Sequence, residues 1–250
     1  MNIPAHTRLS GSPEPESVGT ALPREPADHI VKVAAVSLVA DPDGALYWPE
    51  QALLAVSDLH LEKGSSFAAR GQFLPPYDSA ATLARLARLI VRYAPRCVVA
   101  VGDSFHDGGG PARLAISDRD NLTAMQSGRD WIWITGNHDP DPTDGIGGDF
   151  QETLKTGAIT FRHLPTGATG EIAGHLHPAA RIVQRGRAIR RRCFAADRTR
   201  LVMPAFGAFT GGLNVRDAAF ADLFGTLGFT AHLLGEARLY AISARRCLPD

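Results

Sequence analysis

The sequence predicts an α/β protein with a second, mainly antiparallel sheet packed on the first. Three observations carry this. Short apolar runs (Ala52 to Val56, Cys97 to Val101, Trp131 to Thr135) alternate with stretches of helical periodicity. Each of those runs stops on Ser-Asp, Gly-Asp or Gly-Asn-His, polar groups placed where a buried strand ends. After Gly145-Ile146-Gly147-Gly148 the pattern changes to short strands separated by turns. The chain has 250 residues, 44% hydrophobic and 21% charged, which is enough for one large domain, expected over residues 29–250.

Residues 1–28 hold Pro4, Pro13, Pro15, Pro23 and Pro26 with almost no large apolar side chains, so a disordered tail is expected there. Val31 to Val39 reads as one strand, Asp41-Pro42-Asp43-Gly44 as a turn, and Ala45 to Trp48 as the returning strand. Ala52 to Val56 is a strand buried on both faces that delivers Asp58 at its carboxyl end. Asp78-Ser79 marks a helix start, Leu83, Leu86, Ala87 and Ile90 repeat at helical spacing, and Pro95 stops the helix after Ala94. Strand Cys97 to Val101, a helix around Arg119 to Ser127 and strand Trp131 to Thr135 continue the alternation. Trp131 and Trp133 share one face of their strand and are expected in the core. Further strands are expected at Ala158 to Phe161, Glu171 to Ala173, Ala180 to Gln184, Ala188 to Phe194 and Leu201 to Met203.

Lys and Arg together number 26, as do Asp and Glu, so the whole molecule lacks the positive field of a general nucleic-acid binder. Cys97, Cys193 and Cys247 are too scattered for a zinc knuckle or redox pair, which suits a reducing compartment. No stretch has the length or apolarity of a signal peptide or a membrane span, so a cytoplasmic protein without membrane contact is the expectation.

Five ligand clusters follow one another: Asp58-Leu59-His60, Gly102-Asp103, Gly136-Asn137-His138-Asp139, Arg162-His163 and Gly174-His175-Leu176-His177. Two divalent cations held close together need carboxylate and imidazole ligands from several strands, with one anionic group between them. Asp58 and His60 stand two apart and point the same way in an extended segment, as do His175 and His177, whose strand would end at Pro178. Asp103 follows a glycine that permits a sharp turn and is the candidate bridging ligand. Asn137 offers a neutral carbonyl oxygen, and the adjacent His138 points elsewhere, toward substrate. Carboxylate and imidazole without thiolate suits manganese, iron or zinc.

The series DxH, GD, GNH, H and GHxH resembles the calcineurin-like metallophosphoesterase superfamily. The longer phrases beginning at Asp58 (DLHLEKGSSF), Gly102 (GDSFHD), Gly174 (GHLHPAA) and Pro204 (PAFGAFTGGLN) are similar to the bacterial ligase-associated DNA damage response endonuclease (PdeM) group. This resemblance implies a four-layer α/β/β/α sandwich, the metallo-dependent phosphatase fold. It implies one metal on Asp58, His60, Asp103 and His177 and another on Asp103, Asn137, His163 and His175; the ligand chemistry puts Mn2+ first for both, with Fe or Zn as alternatives. It also implies attack on phosphorus by a bridging water or hydroxide, His138 as general acid at the leaving oxygen, and Asp139 orienting His138. Where the superfamily often has GDxxD this chain has Ser104-Phe105-His106-Asp107, which leaves His106 and Asp107 off the metals.

Candidate substrate contacts are Lys63, Arg70 and His106, with Arg190 and Arg192 from an arginine-rich stretch whose other reading is a solvated hairpin face. Phe67, Phe206, Phe209 and Asn214 either line a groove or fill loops. The expected function is hydrolysis of phosphodiesters; the resemblance implies DNA during repair as the setting and a DNA ligase or helicase as the partner. The alternatives are a small-molecule phosphomonoesterase or nucleotide phosphodiesterase and, in another class, a docking scaffold, which would ordinarily have lost ligands.

Overall fold

The computed structural model describes residues 29–75, 77–141, 145–226 and 228–250; the tail expected over 1–28 lies outside them. The first sheet has seven strands side by side in chain order: β1 (Ile30–Val33), β2 (Val36–Ala40), β3 (Leu46–Trp48), β4 (Leu53–Val56), β5 (Cys97–Val101), β6 (Asp130–Ile134) and β7 (Asp149–Gln151). Strands β1 to β4 pair antiparallel and β4 to β7 parallel. Helices α1 (Lys63–Ala68), α2 (Asp78–Tyr93), α3 (Gly110–Arg113) and α4 (Ile116–Gln126) fall between β4 and β6.

The second sheet is built from β8 (Thr153–Thr156), β9 (Ile159–Arg162), β10 (Glu171–Ala173), β11 (Pro178–Gln184), β12 (Arg187–Ala196), β13 (Arg200–Val202), β14 (Leu213–Asn214), β15 (Thr230–Leu234) and β16 (Leu239–Ser243), with α5 (Ala218–Phe224) before β15. Its order is β14-β11-β12-β13-β10-β9-β8, and β15 joins β12 to β16. Most of its pairs are antiparallel, as expected, but β9, β10 and β13 run parallel at its centre. The sheet is therefore mixed. The parallel registers place the ends of β9 and β10, and the histidines that follow them, at one end of the sheet.

Alternation along the central strands creates the layers. Leu54 and Val56 of β4, Val98 and Ala100 of β5, and Trp131 and Trp133 of β6 face Leu83, Leu86, Leu89 and Ile90 of α2 and Leu122 and Met125 of α4. The opposite faces of the same strands, Leu53, Ala55, Val99, Val101 and Ile134, meet Phe161, Ile172, Phe194 and Leu201 of the second sheet. That sheet's outer face, including Ala180, Cys193, Ala195 and Ala231, is covered by Phe220 and Phe224 of α5. The result is the α/β/β/α order.

Two local expectations are corrected. The single strand read over Val31 to Val39 is a hairpin, folded at Ala34 and Ala35 with φ of 46° and 69°. Such two-residue turns need left-handed backbone, which Gly or Asn usually announces and alanine does not. Helix α2 begins at Asp78 as expected, but neither Asp78 nor Ser79 caps it. Asp78 Oδ2 instead accepts the Gly64 N–H at 2.9 Å, and Ser79 Oγ accepts the Glu62 N–H at 2.9 Å while donating to Glu62 Oε1 at 2.8 Å. These side chains tie α2 to the loop that carries Lys63. Among the described residues no helix is long and apolar enough to cross a membrane.

Candidate metal centre

The carboxyl ends of β4, β5 and β6 lie side by side, and the loops leaving them continue the pairing. Asp58 N–H donates to Gly102 O at 3.1 Å, His60 N–H to Asp103 O at 2.9 Å and Leu61 N–H to Ser104 O at 2.9 Å. The second sheet contributes from its own strand ends, His163 after β9 and His175 after β10. A topological end where several strands stop together is where an α/β fold gathers polar groups.

The ligand segments are not extended. Asp58, His60, Asp103, His175 and His177 all have positive φ, between 43° and 67°. Non-glycine residues adopt such backbone rarely and at a cost, and a cluster of them points to a functional constraint. Asp58 and His60 thus converge through two left-handed kinks, not through strand alternation. His175 and His177 sit in the loop before β11, which Pro178 begins and does not end. Gly102, at φ 78°, could carry no side chain, since a Cβ there would run into the His163 ring. A Cβ at Gly174 would likewise meet Ser57 Oγ and Asp58 Oδ2.

Two groups of donor atoms result, each within 4.8 Å of one another: Asp58, His60, Asp103 and His177, and Asp103, His163 and His175. Asp103 belongs to both. His177 Nε2 stands 3.0 Å from Asp58 Oδ1 and 3.4 Å from His60 Nε2. With the ring protons on Nδ1, both Nε2 lone pairs and the Asp58 carboxylate converge on one point, a donor set suited to a divalent cation. His163 Nε2 lies 3.3 Å from Asp103 Oδ2 and 3.0 Å from Asn137 Oδ1, which adds the amide oxygen to the second group. The donor set fits two divalent ions. Ser57 Oγ donates to Asp58 Oδ2 at 2.5 Å and orients that carboxylate, a role its neighbour position in the motif does not advertise.

Burial and charge are divided among these groups. Burial drives the His60 imidazole down to about 3 against the pull of Asp58 and Asp103, leaving the ring neutral, with one nitrogen lone pair able to ligate. Burial works to raise Asp103, yet the hydrogen bond and charge of His163 hold it down at about 2. His163 is raised in turn: burial opposes its charge, but Asp103 and Asp58 prevail. His175 is lowered by burial and by the neighbouring His163.

His138 is half exposed at the edge of the centre. Its backbone N–H donates to Asp103 Oδ1 at 2.9 Å, its ring Nδ1 lies 2.8 Å from the His106 carbonyl oxygen, and its Nε2 is 4.0 Å from Asp103 Oδ2. Asp139 does not hold that ring. Its carboxylate accepts the Ser104, Phe105 and Gly136 N–H groups at 2.8, 3.0 and 3.1 Å, clamping the Asp103 loop to the Asn137 loop, and burial lifts it to about 6.

The expected substrate contacts divide. His106 stacks on His138, with ring centroids 5.3 Å apart, and forms a third nitrogen group with His60 and His138. Lys63 reaches the same flank and Arg70 is exposed beyond it. Arg192 is turned elsewhere: it donates to the Ala205, Ala208 and Thr210 carbonyl oxygens at 2.9, 3.3 and 2.8 Å and organises that loop. Arg190 pairs with Asp250 at 3.3 Å and donates to Gly212 O. Phe206 is core, while Phe209 is 40% exposed.

A model of the calcineurin-like phosphoesterase family matches residues 52–192, a span that holds all seven candidate ligands. The chain belongs to the calcineurin-like phosphoesterase family. A solved structure titled as the crystal structure of Pseudomonas putida nuclease MPE is similar to this phosphoesterase with a TM-score of 0.67 and 26% identity, over 86% of this chain and 99% of that one. No curated protein matches the chain. The family and the donor set together make it a metal-dependent phosphoester hydrolase.

Proposed function

We propose that this hydrolase is a two-metal nuclease that cleaves phosphodiester bonds in nucleic acid. The observation that carries the reading is the sharing of Asp103 between two donor groups. Asp58, His60 and His177 with Asp103 would hold one ion, and Asn137, His163 and His175 with Asp103 the other. Such ions polarise phosphoryl oxygens and lower the pKa of a coordinated water. The protein's own part is positional. The His106 carbonyl can only accept, so His138 Nδ1 carries the proton there and Nε2 is presented to the centre. A protonated Nε2 can donate to the leaving oxygen as general acid. Oxygen and nitrogen ligands without thiolate favour manganese, with iron or zinc as alternatives.

The nuclease title of the similar structure supports a nucleic-acid substrate, and the resemblance of the ligand phrases to the ligase-associated group supports a role in DNA repair. Metal-stripped protein reloaded with Mn2+, Fe2+, Zn2+ or Mg2+ should hydrolyse bis(p-nitrophenyl) phosphate in preference to p-nitrophenyl phosphate and should cut defined oligonucleotides. A preference for the monoester would replace the nuclease with a small-molecule phosphatase. Inertness toward all three with both ions bound would leave only the docking-scaffold reading. For the repair role, loss of the gene should sensitise its host to DNA-damaging agents; unchanged sensitivity would remove that assignment.

A further inference from the structure

One flank of the centre carries positive charge that the groups around phosphorus do not use. Lys63, the first residue of α1, donates to the Phe209 carbonyl oxygen at 3.2 Å and holds its ammonium 5.8 Å from the Phe67 ring centroid. The Phe67 ring is 5.5 Å from the His106 ring, which stacks on His138. Lys63 is thereby linked to the metal centre through one aromatic wall, and the charges of Lys63 and Arg70 both fall on the His106 imidazole.

Among the described residues the Phe209 carbonyl is the one hydrogen-bond partner of this ammonium, and burial outweighs the attraction of Asp78. An ammonium has three donors and the carbonyl takes one. No described carboxylate forms an ion pair with Lys63: Asp78 accepts the Gly64 N–H at 2.9 Å, and Asp107 Oδ1 holds Arg113 at 2.7 Å and the Gly109 N–H at 2.9 Å. The Glu62–Ser79 hydrogen bonds fix the backbone that presents Lys63, so the group is pre-positioned.

We propose that Lys63, with Arg70 and His106, forms a second anion subsite that takes the phosphate next to the scissile one, so that the substrate is a chain carrying at least two phosphates. The inference rests on the diesterase reading above. A lysine contact of this kind positions a chain without reading its sequence, and the sugar or base between the two phosphates would lie against Phe67.

The test uses a thymidine dinucleotide, which has a single diester bond, bare or carrying a terminal phosphate at the 5′ or the 3′ end. With the Mn2+-loaded full chain, one of the two terminal phosphates should raise kcat/KM for diester cleavage about tenfold, the scale of one charge-assisted contact. Lys63→Gln should abolish that gain, Lys63→Arg should retain it, and Arg70→Gln, at an exposed position, should reduce it. Absence of a gain at either end, or a gain that survives in Lys63→Gln, would overturn the subsite while leaving the diesterase intact. Inertness toward the bare dinucleotide and bis(p-nitrophenyl) phosphate alike would instead sink the diesterase reading, and the subsite with it.

Discussion

Asp103 concentrates the chemistry of the site in one side chain. Its Oδ2 faces His163 at 3.3 Å and His60 at 3.8 Å, while Oδ1 accepts the His138 N–H. Asp103→Asn removes the anion that both donor groups share, so bound metal should fall and turnover of bis(p-nitrophenyl) phosphate should drop more than about 100-fold. Full metal content with normal turnover would refute the shared-ligand assignment. His138→Ala should behave differently: metal content by elemental analysis stays at wild type, while kcat falls about 10²- to 10⁴-fold. Loss of metal in that variant would mean His138 ligates. At this scale the sequence is informative about residue type and poor about partners. Asp139 stands beside His138 in the motif, yet its carboxylate serves the backbone of a loop that begins at Gly102. Neighbours in sequence carry no information about that contact.

At the scale of elements, the loop from Met203 to Thr210 shows how an arginine that reads as a phosphate grip becomes a scaffold. Phe206 N–H donates to Ser57 O at 2.8 Å and Gly207 N–H to Asp58 O at 3.0 Å, so this loop braces the first metal segment. Arg192 holds it from β12 through three carbonyl oxygens. Arg192→Ala should cost about 2–4 kcal/mol, the scale of one to two charged hydrogen bonds, because water can reach the part-buried carbonyls once the side chain is gone. Thermal melting checks that figure. Activity should fall by the same factor on bis(p-nitrophenyl) phosphate and on oligonucleotides, whereas a phosphate contact would spare the smaller ester. Lysine should rescue poorly, because it lacks the planar fork. Helix α2, with its clear apolar spacing and terminal proline, was readable within a residue at each end. The hairpin at Ala34-Ala35 was not, because alanine does not signal left-handed backbone.

Across the whole molecule, the metal centre is a seam. Asp58, His60, Asp103 and Asn137 leave the first sheet, and His163, His175 and His177 belong to the second, so two ions would cross-link the layers that otherwise meet through apolar side chains such as Phe161 and Leu201. Metal binding to the folded state alone stabilises by about 2.7 kcal/mol at a free concentration a hundredfold above Kd. For a chain of this size that is a Tm shift of roughly 5–10 °C. Chelation should lower Tm by that amount and Mn2+ should restore it; an unchanged Tm would show that the ions do not bridge the sheets.

The sequence by itself determined which side chains are available and at which strand ends they stand, because apolar runs and their terminating Gly, Asp, Asn and His residues are local patterns. It also determined the buried pair Trp131 and Trp133, whose alternation places both on one face. Only the tertiary structure decided which donor atoms converge, that five of these residues sit in left-handed backbone, that Asp139 clamps loops, and that Arg192 faces carbonyls while Lys63 stands beside Phe67 and His106. Those outcomes depend on contacts between segments far apart in the chain, and on strain that the surrounding packing imposes, neither of which a local pattern encodes.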